Sequence, residues 1–170
     1  MTKEPEKVSV HVKYKDIEKT FSGSGEETWL LVNRFFSELI PSFEIASHLW
    51  LSTDVEKLAR DVEGIVAFSP EGPNLLLSKN RLTDNETLIL WLIASYLGKK
   101  LGVLNNDALS KEELQSKLGK SGKITSTRLG ELVKTDMVSK TVDDEFKITT
   151  FGIVQTQNEI LPKIRVKKGA

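Results

Sequence analysis

The residues able to do chemistry in this 170-residue chain are few in kind. There is no cysteine, and the only histidines are His11 and His48. Disulfides, thiolate zinc sites and cysteine nucleophiles are therefore excluded, and a multi-histidine metal site lacks ligands. His48, beside Leu49 and Trp50, reads as a structural or surface histidine rather than a catalytic base. Gly23-Ser24-Gly25 lies where backbone amides can hold a phosphate. It lacks the further glycine of a dinucleotide fingerprint and the Gly-Lys-Ser/Thr of a phosphate loop, so it reads as a helix-capping turn. The carboxylates are scattered among lysines, with no metal-loop spacing. These residues predict a protein that is not an enzyme and holds no cofactor or metal.

What remains is charge. The chain has 24 Lys+Arg and 24 Asp+Glu, and this zero hides a split. Residues 1–79 hold 9 basic against 13 acidic side chains, a net of −4, and residues 80–170 hold 15 against 11, a net of +4. A basic C-terminal half suits a phosphate-bearing partner. The 39% apolar and 28% charged content is that of a globular protein. The N-terminus, MTKEPEKVSV, lacks the basic start and apolar stretch of a secretion signal. The longest apolar run, Leu88–Leu97, falls far short of the ~20 residues that span a bilayer. The expectation is a soluble cytoplasmic protein with no membrane partner.

The elements that position this charge are legible from periodicity and caps. Val8, Val10, Val12 and Tyr14 alternate with polar residues, and Ile17 and Phe21 continue the pattern after Lys15-Asp16, which predicts a hairpin over 8–21. Ser24 with Glu27 is a capping box for a helix burying Trp29, Val32, Phe36 and Leu39, widened by Leu31 and Phe35 and ended by Pro41. Phe43–Trp50 reads as a short helix. Thr53 with Glu56 caps another, which Gly64 stops. Ile65–Phe68 and Asn74–Leu77 read as strands joined by a Pro/Gly turn. This half is α+β.

Thr83 with Glu86 opens a helix from Asp84 to Leu101 that is apolar almost all round, so it joins two halves of a core or packs against a copy of itself. Ser110 with Glu113 caps the next helix, which Gly119 breaks. Ile124, Leu129, Leu132 and Val133 mark the inner face of a further helix ending near Asp136. Met137–Thr141 and Phe146–Thr149 read as strands around the acidic tip Val142-Asp143-Asp144-Glu145. Thr149 caps a last helix with Ile153, Ile160 and Leu161 inside.

Residues 82–165, about half of the chain, resemble the winged-helix superfamily. Residues 110–119 (SKEELQSKLG) look like that family's second helix, and residues 128–134 (RLGELVK) like the end of its recognition helix. Residues 137–140 (MVSK) with 146–152 (FKITTFG) resemble its wing, including an apolar residue, a threonine, two residues and a glycine at its close. The resemblance implies an α+β fold with an N-terminal domain over 1–80 and a winged-helix domain over 81–170. It also implies that Lys120, Lys123, Thr125, Ser126 and Arg128 stand on the recognition surface. There Arg128 would face a guanine edge, and Thr125 and Ser126 phosphates or bases. Lys140 and Lys147 on the wing, and Arg165, Lys167 and Lys168 on the tail, would meet backbone phosphate. The sequence departs from the family in its turn, where Lys120 replaces an apolar residue and the apolar register slips to Ile124. Gly130 sits in mid-helix, and the acidic wing tip would be repelled by phosphate.

The function implied is a nucleic-acid-binding winged-helix protein, first of all a DNA-binding transcriptional regulator. An RNA- or ribosome-associated factor and a protein–protein adaptor are the alternatives. A homodimer or protein partner would use the N-terminal half or the 84–101 helix.

Overall fold

A computed structural model describes residues 7–39 and 51–169, apart from the side chains of Lys79 and Lys168. The reading of Phe43–Trp50 as a helix, Pro41 as its predecessor's stop, and His48 all lie outside the described residues. Among the described residues the architecture is mixed α+β, with three antiparallel hairpins and helices between them. Two compact units part at Leu51 and Ser52, not at 80/81. The reason is packing. Leu58, Val62, Ile65 and Val66 share one buried cluster with the 84–100 helix and everything after it.

In the first unit, β1 (Val8–Tyr14) and β2 (Ile17–Gly23) pair across a turn in which Lys15 takes a positive φ of 54°. His11 is spent across this hairpin, 2.7 Å from Glu18 Oε1 and 2.9 Å from Thr20 Oγ1. Ser24 and Glu27 form the expected reciprocal cap, opening α1 (Gly25–Leu39). The buried face of α1 differs from the sequence expectation. Thr28 and Phe35 are buried, while Trp29 is 63% exposed. The hairpin covers the flank centred on Phe35, whose ring meets Phe21 edge-on at 5.5 Å, and Thr28 Oγ1 donates to Val8 O. Trp29 is turned ~100° from Thr28 around the cylinder and misses that cover.

The second unit begins with α2 (Val55–Asp61). Its cap is Asp54, which accepts from the Lys57 amide at 2.9 Å, one residue later than Thr53. A carboxylate at this position accepts from the orphan amide as well as a hydroxyl does. β3 (Val66–Ser69) and β4 (Gly72–Leu75) follow as a hairpin, shifted from the expected bounds by one or two residues. The long helix α3 (Asp84–Lys100), with its Thr83–Glu86 capping box, buries Leu88, Ile89, Leu90, Leu92, Ile93, Ala94 and Leu97. Its apolar girth is taken up by its own unit, against α2, β3, β4 and the elements downstream.

Then come α4 (Lys111–Leu118), α5 (Gly122–Lys134), β5 (Val138–Lys140), β6 (Phe146–Ile148) and α6 (Thr150–Gln155). Leu109 bridges Phe146 with two backbone hydrogen bonds, adding a third partner to the β5–β6 hairpin. Thr149 caps α6, accepting from the Gly152 amide at 2.8 Å and donating to Asp136 O. Gly152 is required there, because a Cβ would collide with the Met137 carbonyl oxygen. A widened turn, Thr156–Ile160, leads into α7 (Leu161–Gly169). No described helix is long and apolar enough to cross a membrane.

Candidate nucleic-acid interface

The surface around α5 is set by a glycine turn. Gly119 ends α4 in the left-handed conformation, φ 70°, which costs a residue without Cβ little. Ser121 then caps α5, accepting from the Ile124 amide. Gly122 packs so near Gln115 that a Cβ would come within 3.0 Å of its Oε1, which holds α4 and α5 close. α5 is anchored by Thr125, Leu129 and Leu132, all buried.

That anchoring corrects the register. Thr125 is fully buried, its Oγ1 donating to Ser121 O at 3.1 Å, so it faces the core and not a ligand. Ile124, expected inside, is 40% exposed. The chain tolerates a threonine in the core because its hydroxyl bonds back to the preceding turn, leaving no unsatisfied donor.

With Thr125, Leu129 and Leu132 inward, the outermost line of α5 runs Lys123, Thr127, Gly130, Lys134, at helical spacings of four, three and four. Lys123, Thr127 and Lys134 are exposed, and a Cβ on Gly130 would meet nothing within 4 Å. Lys123 and Lys134 are ~16 Å apart along the axis at 1.5 Å per residue. Between them lie only small groups, so the backbone can approach an elongated ligand closely. Exposed Lys120 extends the line into the turn, and exposed Ser126 flanks it. The first turn of α5 has no acid, whereas α1, α3 and α4 each carry two there. Lysines near the positive end of a helix dipole are unfavourable for the helix and favourable for an anion brought to it.

Sequence reasoning missed Thr127 and Lys134, and read Gly130 only as a propensity cost. The signal was present in the spacing 123–127–130–134, but it emerges only once the inner face is placed correctly.

Most of the remaining basic residues expected at the interface are engaged elsewhere. Arg128 Nη1 donates to Glu131 Oε1 and Oε2, both at 3.0 Å, and its Nε lies 3.6 Å from Asp84 Oδ2 on α3. Asn85 Nδ2 also donates to Glu131, at 3.2 Å. The Arg128 hydrogen bond, then Asn85's, holds the Glu131 carboxyl below the usual carboxylate range, and Glu131 in turn raises Arg128. Arg128 is thus a strut between α5 and the start of α3, and its fork is not presented to a guanine edge.

On the hairpin, Lys140 pairs with Asp144 at 2.8 Å, and Glu145 accepts from Asn106 at 2.9 Å. Lys147 is exposed on β6, and no ion pair holds it among the described residues. The tail is tied down. Arg165 Nη2 donates to Asp61 O at 2.7 Å and lies 3.4 Å from Asp61 Oδ1. Lys167 Nζ is held by both oxygens of Glu86, at 2.9 and 3.0 Å. Burial pushes the Glu86 carboxyl up, but the Thr83 amide and Lys167 outweigh it and leave the pKa below the ordinary value of 4.5. The Lys168 side chain lies outside the described residues.

The structure therefore brings Lys120, Lys123 and Ser126 together with Lys134. It withdraws Thr125, Arg128, Lys140, Arg165 and Lys167 from that surface. Among the described residues, no group of three or more His, Asp or Glu is placed to hold a metal ion. No family model, curated protein or solved structure matches this chain.

Proposed function

We propose that residues 82–165 form a winged-helix frame and that the protein is a non-enzymatic, duplex-DNA-binding transcriptional regulator. The order α3, bridging residue Leu109, α4, α5, β5–β6 hairpin supports the frame. The observation that carries the function is the acid-free line Lys120–Lys123–Thr127–Gly130–Lys134 on the outside of α5. A narrow helix with lysines at both ends and small groups between suits a groove flanked by phosphates.

The chemistry of the site favours backbone contact over base reading. Lysine acts as a point charge on phosphate, and the one guanidinium on α5 is spent on Glu131 and Asp84. Selectivity then rests on Ser126, Thr127, Ile124 and the shape of the groove. The hairpin tip, with Asp143, Asp144 and Glu145, stays away from phosphate. An RNA or ribosomal surface would be met by basic loops together with the C-terminal tail, and in that tail Arg165 and Lys167 are already held by Asp61 and Glu86.

Fluorescence anisotropy with labelled duplex DNA and single-stranded RNA at low salt tests this reading. The expected result is duplex binding that the Lys123→Ala/Lys134→Ala variant loses while keeping its circular dichroism spectrum. Equal binding by wild type and variant, or a preference for the RNA, would overturn it.

A further inference from the structure

The exposed flank of α1 is complementary to itself. The hairpin covers the side of α1 holding Thr28 and Phe35, and the outer side carries Leu30, 63% exposed, and Leu31, 42% exposed. Glu27 and Arg34 stand on that same side, since seven residues are nearly two helical turns and bring the direction back to within about 20°. With Ser22, Asn33 and Ser37 these residues line a groove of about 770 Å³. Glu27 keeps Oε1 clear of its cap, because the Ser24 amide and hydroxyl both donate to Oε2. Arg34 makes no ion pair among the described residues.

The register is the informative feature. The midpoint between Leu30 and Leu31 is also the midpoint between Glu27 and Arg34. A two-fold axis through that point sets the two helices antiparallel, with Leu30 against Leu31 of the second copy. It sets Glu27 against Arg34 twice, once at each end. This is the condition an isologous contact must satisfy, and an unrelated partner imposes no such symmetry on one helix.

We propose that the protein self-associates through α1, antiparallel about the Leu30–Leu31 midpoint, with paired Glu27–Arg34 contacts between copies. The inference does not rest on the nucleic-acid reading. Four leucines and two ion pairs are less than the ~800 Å² per partner of a standard interface, so the dimer is weak and concentration-dependent.

Sedimentation velocity of the full chain, from low micromolar to several hundred micromolar, tests this. Wild type moves from monomer to dimer across the range, and Leu30→Asp, an exposed substitution that leaves circular dichroism unchanged, stays monomeric. Arg34→Glu weakens association by about tenfold or more, placing acid against acid at both ends. A wild type monomeric throughout would overturn the proposal, because the groove would then be empty or filled within one chain. So would a dimer indifferent to Leu30→Asp or to Arg34→Glu.

Discussion

Lys123 and Lys134 lie on the outer line of α5 and form no ion pair among the described residues, Lys134 feeling Glu131 only at longer range, whereas Arg128 on the same helix is gripped by Glu131 and Asp84. The tail repeats the contrast, with Arg165 on Asp61 and Lys167 on Glu86. In the sequence these are all basic residues of one cationic half. In the fold they divide into charges left for a ligand and charges used to fasten elements together. A count of lysines and arginines thus overstates the surface available to a polyanion.

The division gives two different signatures on mutation. The largest effect is expected for Lys123→Glu/Lys134→Glu, which reverses the outer line of α5. Duplex affinity at low salt should fall about 100-fold or more with the thermal midpoint unchanged, as read by anisotropy beside a melting curve. Arg165→Ala with Lys167→Ala should do the opposite, lowering stability by about 1–2 kcal/mol in urea titration and leaving affinity intact. Both side chains are about half exposed, so solvent screening keeps that cost modest. Arg128→Ala should lower stability less than the tail pair does, because solvent screens its contacts, with binding nearly unchanged. A large loss of affinity in Arg128→Ala would move it to the ligand side of the division.

The carboxylates that hold the fastening charges add a pH test. Glu86 and Glu131 have folded pKa values below their ordinary value of 4.5. Their stabilising contribution is therefore complete above about pH 4.5 and is lost as pH falls through the lower folded value. Stability followed from pH 6 down to about pH 3 should decline, and Glu86→Gln should flatten part of that decline. A decline of equal steepness in the variant would show that Glu86 does not carry it.

Local signals were the legible part of this fold. The caps at Ser24, Thr83, Ser110 and Thr149 stood where the sequence placed them, because each is a contact between residues three apart. The helix over 84–100 announced itself by an apolar girth that only a core can absorb. Errors arose where tertiary packing chose among local options. Phe35, not Trp29, became the centre of the buried side of α1, because the hairpin covers one flank of a helix that is apolar on several. Thr125 displaced Ile124 from the core by satisfying its hydroxyl within its own helix, and this one-residue shift carried the candidate site with it.

The long-range pairings were not legible at all. Asp61 meets Arg165 across 104 residues, and Glu86 meets Lys167 across 81, with no local pattern to mark either. The unit boundary was missed for a related reason. Leu58, Val62, Ile65 and Val66 look like the end of an α+β half, yet they close over the long helix and belong to its core.

Counterion release offers the most direct test of whether α5 is the interface. The slope of log affinity against log salt, measured with one duplex for wild type and for Lys120→Ala/Lys123→Ala/Lys134→Ala, counts the phosphates each protein neutralises. At ~0.9 per phosphate, the triple variant should lose roughly 3 from the slope and bind only weakly. Identical slopes in the two proteins would place the contact on another surface and contradict the account.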